Sequence, residues 1–186
     1  MNPISSAKIA FDPISPDLSH PADRRRFTCF AKLMGLDFEI YDSQKNYDIV
    51  ILSETSDITF WSRSKKDFKI IFNLNDSYLS EKKNIKSKLR GLGKYITRQN
   101  RFLELDFSKS LQNMCVRADA VICSTDIQLN TIKKFSKNIH LMFDSHFDEI
   151  TYKKESYEIH KPFRLVWEGL PSNAYQLLSL SQAINN

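Results

Sequence analysis

The polar residues best suited to chemistry in this chain stand where short apolar runs end. "NLNDSY" (73–78) puts Asp76 and Ser77 directly after one run, a carboxylate to accept hydrogen bonds and a hydroxyl to give or take them. "CSTD" (123–126) puts Ser124 and Thr125 after another, two hydroxyls able either to hold a phosphate or to cap a helix. Asp144 and His146 follow a third. "PADRRRF" (21–27) carries Arg24, Arg25 and Arg26 at the start of a predicted helix. There, forked guanidinium bonds and the helix dipole both favour a phosphate. Each has an ordinary alternative: a turn and cap for Asp76 and Ser77, a helix cap for Ser124 and Thr125, a solvated face for the arginines, a structural role for His146. The sequence holds no Ser/His/Asp set, no HExxH, no paired-Asp metal motif and no Gly-rich dinucleotide fingerprint after its first apolar run, so neither metal nor cofactor is expected. Cys29, Cys115 and Cys123 form no CxxC pair and read as buried thiols.

A second kind of chemistry is electrostatic. The formal net charge is +5, yet eight cations fall within residues 82–101 with no acid among them: Lys82, Lys83, Lys86, Lys88, Arg90, Lys94, Arg98 and Arg101. The remainder holds 19 cations against 22 acids, so the basicity is one local patch with an affinity for anionic partners. Ile85, Leu89, Leu92 and Ile96 recur at helical spacing beside these cations, and Leu103, Phe107, Leu111 and Met114 continue the stripe. Such a helix suits an anionic membrane surface, or it packs on the body of the protein with its lysines in water.

The elements that must position these residues are legible as apolar runs. "AKIAFD" (7–12), "DFEIYD" (37–42), "YDIVILS" (47–53), "FKIIFNLND" (68–76), "ADAVICST" (118–125) and "NIHLMFD" (138–144) are mostly continuous rather than alternating, as strands buried on both faces of a parallel sheet are. Helices are predicted over 21–35, 55–66 and 124–137, with a long one over 84–116 interrupted at Gly91 and Gly93. The order predicts an α/β, Rossmann-like, doubly wound and mostly parallel sheet, whose strand ends carry the polar residues to the edge where open sheets bind ligands. The link between 42 and 47 is too short for a helical crossover, so that pair is either antiparallel or differently bounded. Residues 1–144 form the domain, 145–162 a polar linker, and 163–186 the start of a second domain. In that last part "FRLVWEG" reads as a strand with Trp167 in a core, and Ser172 as the cap of a following helix. No apolar run approaches a membrane span and no secretory leader is evident, so the expected location is cytoplasmic, with peripheral membrane contact through the basic patch.

"PADRRRF", "YDIVILSE" (47–54), "KIIFNLNDSYL" (69–79) and "RADAVICSTDIQ" (117–128), followed by "LVWEGLPSN" (165–173), resemble a glycosyltransferase of the GT-B fold, in particular the family-4-like group of retaining sugar transferases. The resemblance implies that residues 7–144 are the N-terminal, acceptor-side half. It implies a nucleotide-sugar donor, no metal, and a cleft faced by Arg24, Asp76, Ser77, Ser124, Thr125 and His146. Asp76 would accept hydrogen bonds from sugar hydroxyls. Gly169 would sit where the backbone approaches the donor diphosphate, with Glu168 outside the chemistry. The family's later donor-binding elements have no counterpart here, which implies a chain inactive alone: a truncated gene product, a fragment, or one member of a split pair whose partner chain supplies the C-terminal domain.

Two other readings compete. A non-enzymatic anion- or nucleic-acid-binding α/β domain would use the basic segment, but no RNP motif, zinc finger or helix-turn-helix supports nucleic acid, and aromatics do not interleave with the cations. A flavodoxin-like regulatory domain would want an acidic pocket after the first strand, where Asp12 stands alone.

Overall fold

The computed structural model describes residues 7–65, 67–80 and 85–146 and, beyond them, 151–152, 155–156, 158, 162, 166–167, 171–181 and 183. The chain divides into two units, Met1–Phe147 and Asp148–Asn186. In the first, six strands form one sheet: β1 (Ile9–Asp12), β2 (Glu39–Ile40), β3 (Ile49–Leu52), β4 (Lys69–Asn73), β5 (Ala120–Cys123) and β6 (Ile139–Leu141). Their spatial order is β2-β1-β3-β4-β5-β6, and every pairing is parallel. All six apolar runs became strands, in a Rossmann-like doubly wound arrangement.

Strand periodicity explains the two layers. Successive side chains point to opposite faces, so Ala10, Val50, Leu52, Ile70, Phe72, Val121 and Cys123 face one core and Ile9, Phe11 and Ile51 the other. The larger core is closed by α3 (Ile58–Trp61), α5 (Phe107–Arg117) and α6 (Asp126–Ile132), which contribute Ile58, Trp61, Leu111, Met114, Cys115 and Ile132. The smaller core is closed by one helical stretch: α1 (Pro21–Asp23), a π-helical turn (Arg24–Thr28) and α2 (Cys29–Met34), with Phe27 and Ala31 facing the sheet. Phe11, Phe27 and Phe38 stack there with centroids 4.9–6.1 Å apart. Gly35, at φ +61°, ends α2 in the left-handed conformation that glycine adopts without strain. The three cysteines are buried thiols.

The short 42–47 link follows the second of its two alternatives: the strands are bounded differently, β2 ending at Ile40 and β3 beginning at Ile49, and the antiparallel pairing is not formed. β2 and β3 are not paired with each other; both lie parallel to β1, on its two sides. Because β2 is only two residues long, residues 41–48 return as a loop to the start of β3 without a helix. Asp48 fixes that return: its amide donates to the Lys8 carbonyl at 2.9 Å and its carboxylate accepts from the Lys8 amide at 2.7 Å.

The long helix over 84–116 is two helices, α4 (Ile85–Ile96) and α5, joined by residues 97–106. The break falls after Ile96, not at the glycines. Gly91 lies inside α4, where an added Cβ would sit 2.2 Å from the carbonyl oxygen of Glu104; it is the close approach of the returning loop that requires glycine. The Asp57 carboxylate binds the loop by accepting from the Arg101 amide at 2.8 Å, and Asp106 then caps α5 through the Lys109 amide. The helix expected over 55–66 is the single turn of α3, and that over 124–137 ends at Ile132.

In the second unit a 3₁₀ helix spans Pro171–Leu180, in place of the α-helix expected after Ser172. The strand expected over 163–169 lies mostly outside the described residues; of its residues, Val166 and Trp167 are outside any strand and exposed, so Trp167 is not a core residue. Gly169 and Glu168 lie outside the described residues. No helix among the described residues is long and apolar enough to cross a membrane.

Candidate functional site

The chain moves outward from β1 to β2, then crosses back over β1 to β3 and continues the other way. That reversal is the topological switch point, and the crevice beyond the carboxyl ends of β1 and β3 is where open α/β sheets bind ligands. Asp12 ends β1 there. Its Oδ2 accepts from the Trp61 indole at 3.3 Å, and its carbonyl accepts from the Ser53 amide at 3.0 Å and the Ser56 hydroxyl at 3.3 Å. Burial pushes the Asp12 carboxyl above its ordinary range, offset only in part by hydrogen bonds from Ser56 and Trp61. Glu54, next along, is also raised, first by burial and then by the neighbouring charge of Asp76; its Oε2 accepts from the Asp76 amide at 3.1 Å.

The loop after β1 is tied back to the helix that follows. Buried Asp23 accepts from the amides of Ile14 and Ser15 at 2.9–3.1 Å, and the His20 ring accepts from the Ala22 amide at 3.2 Å as the N-cap of α1. The π-helical turn follows at once and brings Arg26, 1% exposed, over the carboxyl edge. Arg26 Nε donates to Asn73 Oδ1 at 2.8 Å; Nη1 donates to Ser124 Oγ at 2.6 Å, to the Met142 carbonyl at 2.8 Å and to Asp144 Oδ1 at 3.3 Å. Thus one side chain connects the ends of β4, β5 and β6. Its Nη2 is buried with no partner among the described residues, as is Oδ1 of Asn75. Burial lowers the guanidinium pKa, and Asp144 opposes that shift. Ser124 Oγ donates to the Asn75 carbonyl at 3.1 Å, so Arg26, Ser124 and Asn75 form one connected group. Gln128 closes it from α6, accepting from the Ser124 amide at 2.8 Å and donating to the Asn75 carbonyl at 3.1 Å.

The expected site residues therefore separate. Of the three arginines, Arg26 occupies the edge, whereas Arg24 is exposed and donates to the Ser19 carbonyl. Ser124 belongs to the buried network. Thr125 is the N-cap of α6, its hydroxyl accepting from the Gln128 amide. Asp76 and Ser77 are exposed beside Glu54, and His146 is exposed at the end of the described first unit. Glu54 and Asn73 join them without having been singled out, and so does Asp12, weighed in the sequence only as the lone acid of a flavodoxin-like pocket. The available signal was their place at the last residue of a strand, for Asp12 and Asn73, or two residues beyond it, for Glu54. Among the described residues no group of three or more His, Cys, Asp or Glu side chains could hold a metal.

The basic patch is described in part. Lys82 and Lys83 lie outside the described residues, as do the side chains of Lys86, Lys88 and Arg90. Lys94, Arg98 and Arg101 are described at the end of α4 and just beyond it. Tyr95, Ile96, Arg98, Asn100 and Arg101 line an open hollow of about 470 Å³. Arg101 stacks on Phe60 with 4.0 Å between guanidinium carbon and ring centroid. Arg98 adopts φ +58°, a conformation ordinarily left to glycine. Of the apolar stripe, Leu111 and Met114 are core, but Leu92, Ile96 and Leu103 are exposed, together with Tyr95, Phe102 and Leu105. Among its described side chains the expected stripe is thus divided into a packed part, Leu111 and Met114, and an outward part, Leu92, Ile96 and Leu103.

No protein-family model, curated protein or solved structure matches this chain.

Proposed function

We propose that residues 7–146 form the acceptor-side domain of a retaining glycosyltransferase that uses a nucleotide-sugar donor. The observation that carries the proposal is the convergence of Asp12, Glu54, Asn73, Asn75, Asp76 and Ser124 on the carboxyl edge of one parallel sheet. Carboxylates and amides astride a switch point offer the mixed acceptors and donors that saccharide hydroxyls need, and two of these carboxylates carry raised pKa values through burial. The domain's part in transfer is positioning: holding one acceptor hydroxyl at the donor carbon, on the face the diphosphate leaves as retention requires, supplies much of the rate enhancement. Saturation-transfer NMR with a panel of mono- and oligosaccharides tests this. Saturable contacts that disappear in Asp12→Ala and Asp76→Ala are expected; binding that neither substitution changes would place the ligand elsewhere and refute the proposal.

A second feature favours a peripheral membrane role for the same domain. Exposed Tyr95, Ile96, Phe102, Leu103 and Leu105 lie beside Lys94, Arg98 and Arg101, the combination that inserts apolar groups at a lipid interface while cations meet anionic headgroups. This surface would bring the enzyme to an acceptor held at the bilayer.

A further inference from the structure

We propose that Arg26 is the receptor for a phosphate ester on the ligand of the carboxyl edge, and that Asp144 holds its place until the ligand arrives. The inference deepens the glycosyltransferase reading, on which it rests for the sugar part of the ligand. A buried guanidinium needs an anionic partner and a full set of acceptors. Arg26 has neither in full. Its carboxylate partner among the described residues, Asp144, meets a single nitrogen at 3.3 Å through a side chain that is 45% exposed, while the arginine side chain itself is 0% exposed. Arginine and carboxylate commonly pair through two parallel bonds at 2.7–2.9 Å, roughly twice as strong as neutral ones. The contact made here is single and long. Nη2 remains buried without a partner among the described residues.

The surroundings fit an oxyanion better than a purely structural tie. Asn73 orients the guanidinium by taking the Nε donor alone, and both hydrogens of Nη2 are left without an acceptor among the described residues. Ser124 Oγ accepts a hydrogen bond from Nη1 and donates its own to the Asn75 carbonyl, so it can turn to donate to an arriving oxygen. Asn75 Oδ1, buried without a partner, is an acceptor for a hydroxyl carried on the same ligand. A phosphate ester of a polyol supplies both: tetrahedral oxygens for Arg26 and Ser124, and a neighbouring hydroxyl for Asn75. The π-helical turn places the arginine, and such turns recur at functional sites because they spend backbone regularity to aim a side chain. Asp144, whose side chain is 45% exposed at the surface of the site, is the intramolecular competitor.

Competition gives the test its direction, because removing the competitor tightens binding. Calorimetry at low ionic strength on wild type and Asp144→Asn would use three probes: pyrophosphate, glucose 1-phosphate and methyl glucoside. Asp144→Asn is expected to bind pyrophosphate and glucose 1-phosphate about fivefold tighter, the factor for a place-holder occupying about four-fifths of the sites. Methyl glucoside affinity is expected to stay the same. Asp126→Asn, which removes an equal charge nearby without touching Arg26, is expected to change phosphate binding by less than about twofold. Ser124→Ala should reverse the gain. Unchanged or weaker phosphate binding in Asp144→Asn overturns the inference, as does an equal gain in Asp126→Asn. Methyl glucoside binding with no phosphate gain removes the role of Arg26 and leaves the saccharide cleft standing. Tighter binding of pyrophosphate and glucose 1-phosphate in Asp144→Asn, with no binding of methyl glucoside, keeps the role of Arg26 and removes the saccharide cleft.

Discussion

Arg26 Nε donates a 2.8 Å hydrogen bond to Asn73 Oδ1 across 47 residues of sequence, joining the first helical stretch to the end of β4 beneath the carboxyl edge. Both residues are buried. Asn73→Ala leaves a charged donor unpaired in the interior, a loss of roughly 1–3 kcal/mol. Urea unfolding of the variant is expected to show that loss in the midpoint with an unchanged slope. A midpoint equal to wild type would mean that Arg26 finds another acceptor at no cost.

The two glycines of α4 are expected to answer alanine with opposite signs. At Gly93 nothing described lies within 4 Å of an added Cβ, so alanine should stabilise by about 0.5–1 kcal/mol through helix propensity. At Gly91 the same methyl would meet the Glu104 carbonyl at 2.2 Å, and displacing that backbone should cost about 1–3 kcal/mol. Thermal melts of Gly91→Ala and Gly93→Ala read both signs directly. Equal stabilisation by the two would contradict the packing of loop 97–106 on α4.

Arg98 trades stability for position. Relieving its left-handed backbone with Arg98→Gly should raise stability by about 0.5–1 kcal/mol. The same change should weaken co-sedimentation with anionic vesicles, and Lys94→Glu with Arg98→Glu should abolish it. Vesicles of neutral lipid and duplex DNA serve as comparison ligands. Binding to DNA that exceeds binding to anionic vesicles would instead support a nucleic-acid surface.

The pH dependence of stability carries the mark of Asp12. Its folded pKa is raised above 3.8 by burial, so its contribution to stability is fully present below that value and is lost as pH rises through the raised one. Asp12→Asn keeps the oxygen that accepts from Trp61 and removes the charge. The variant is expected to melt higher than wild type near pH 7 and to converge with it near pH 3. A variant that melts lower at both pH values would show the carboxylate to be stabilising and the sign reversed.

Much of the fold could be read from patterns that the chain makes plain. Continuous runs such as "IVIL" and "AVIC" are buried on both faces, and a parallel sheet is the arrangement that buries them. What could not be read depends on contacts between distant residues. Gly91 has the sequence appearance of a helix breaker, yet its requirement comes from the carbonyl of Glu104 thirteen residues on. The end of α4 carries neither Pro nor Gly. It is set by Arg98 in a left-handed conformation and by Asp57 gripping the Arg101 amide. β2 is an exposed two-residue strand, which is why the return to β3 could dispense with a helix. The site was legible as a location, the ends of the strands, but not as a membership. Three consecutive arginines are equivalent by composition, and a π-helical turn shifts the angular register on which a 3.6-residue period would choose among them. Asp12 looked weak as a lone acid; its weight comes from the fold, which brings Trp61 and Ser56 to it.

The central claim is that ligands bind at the carboxyl edge of the sheet. Its most direct test is a titration of the ¹⁵N-labelled protein with glucose 1-phosphate and a panel of oligosaccharides, followed by amide chemical shifts. The account predicts saturable shifts concentrated in residues 13–15, 53–56, 74–77 and 124–126, which surround Asp12, Glu54, Asn75 and Ser124. Shifts confined to the outward faces of α4 and loop 97–106, or no shifts at the edge with any ligand of the panel, would contradict it.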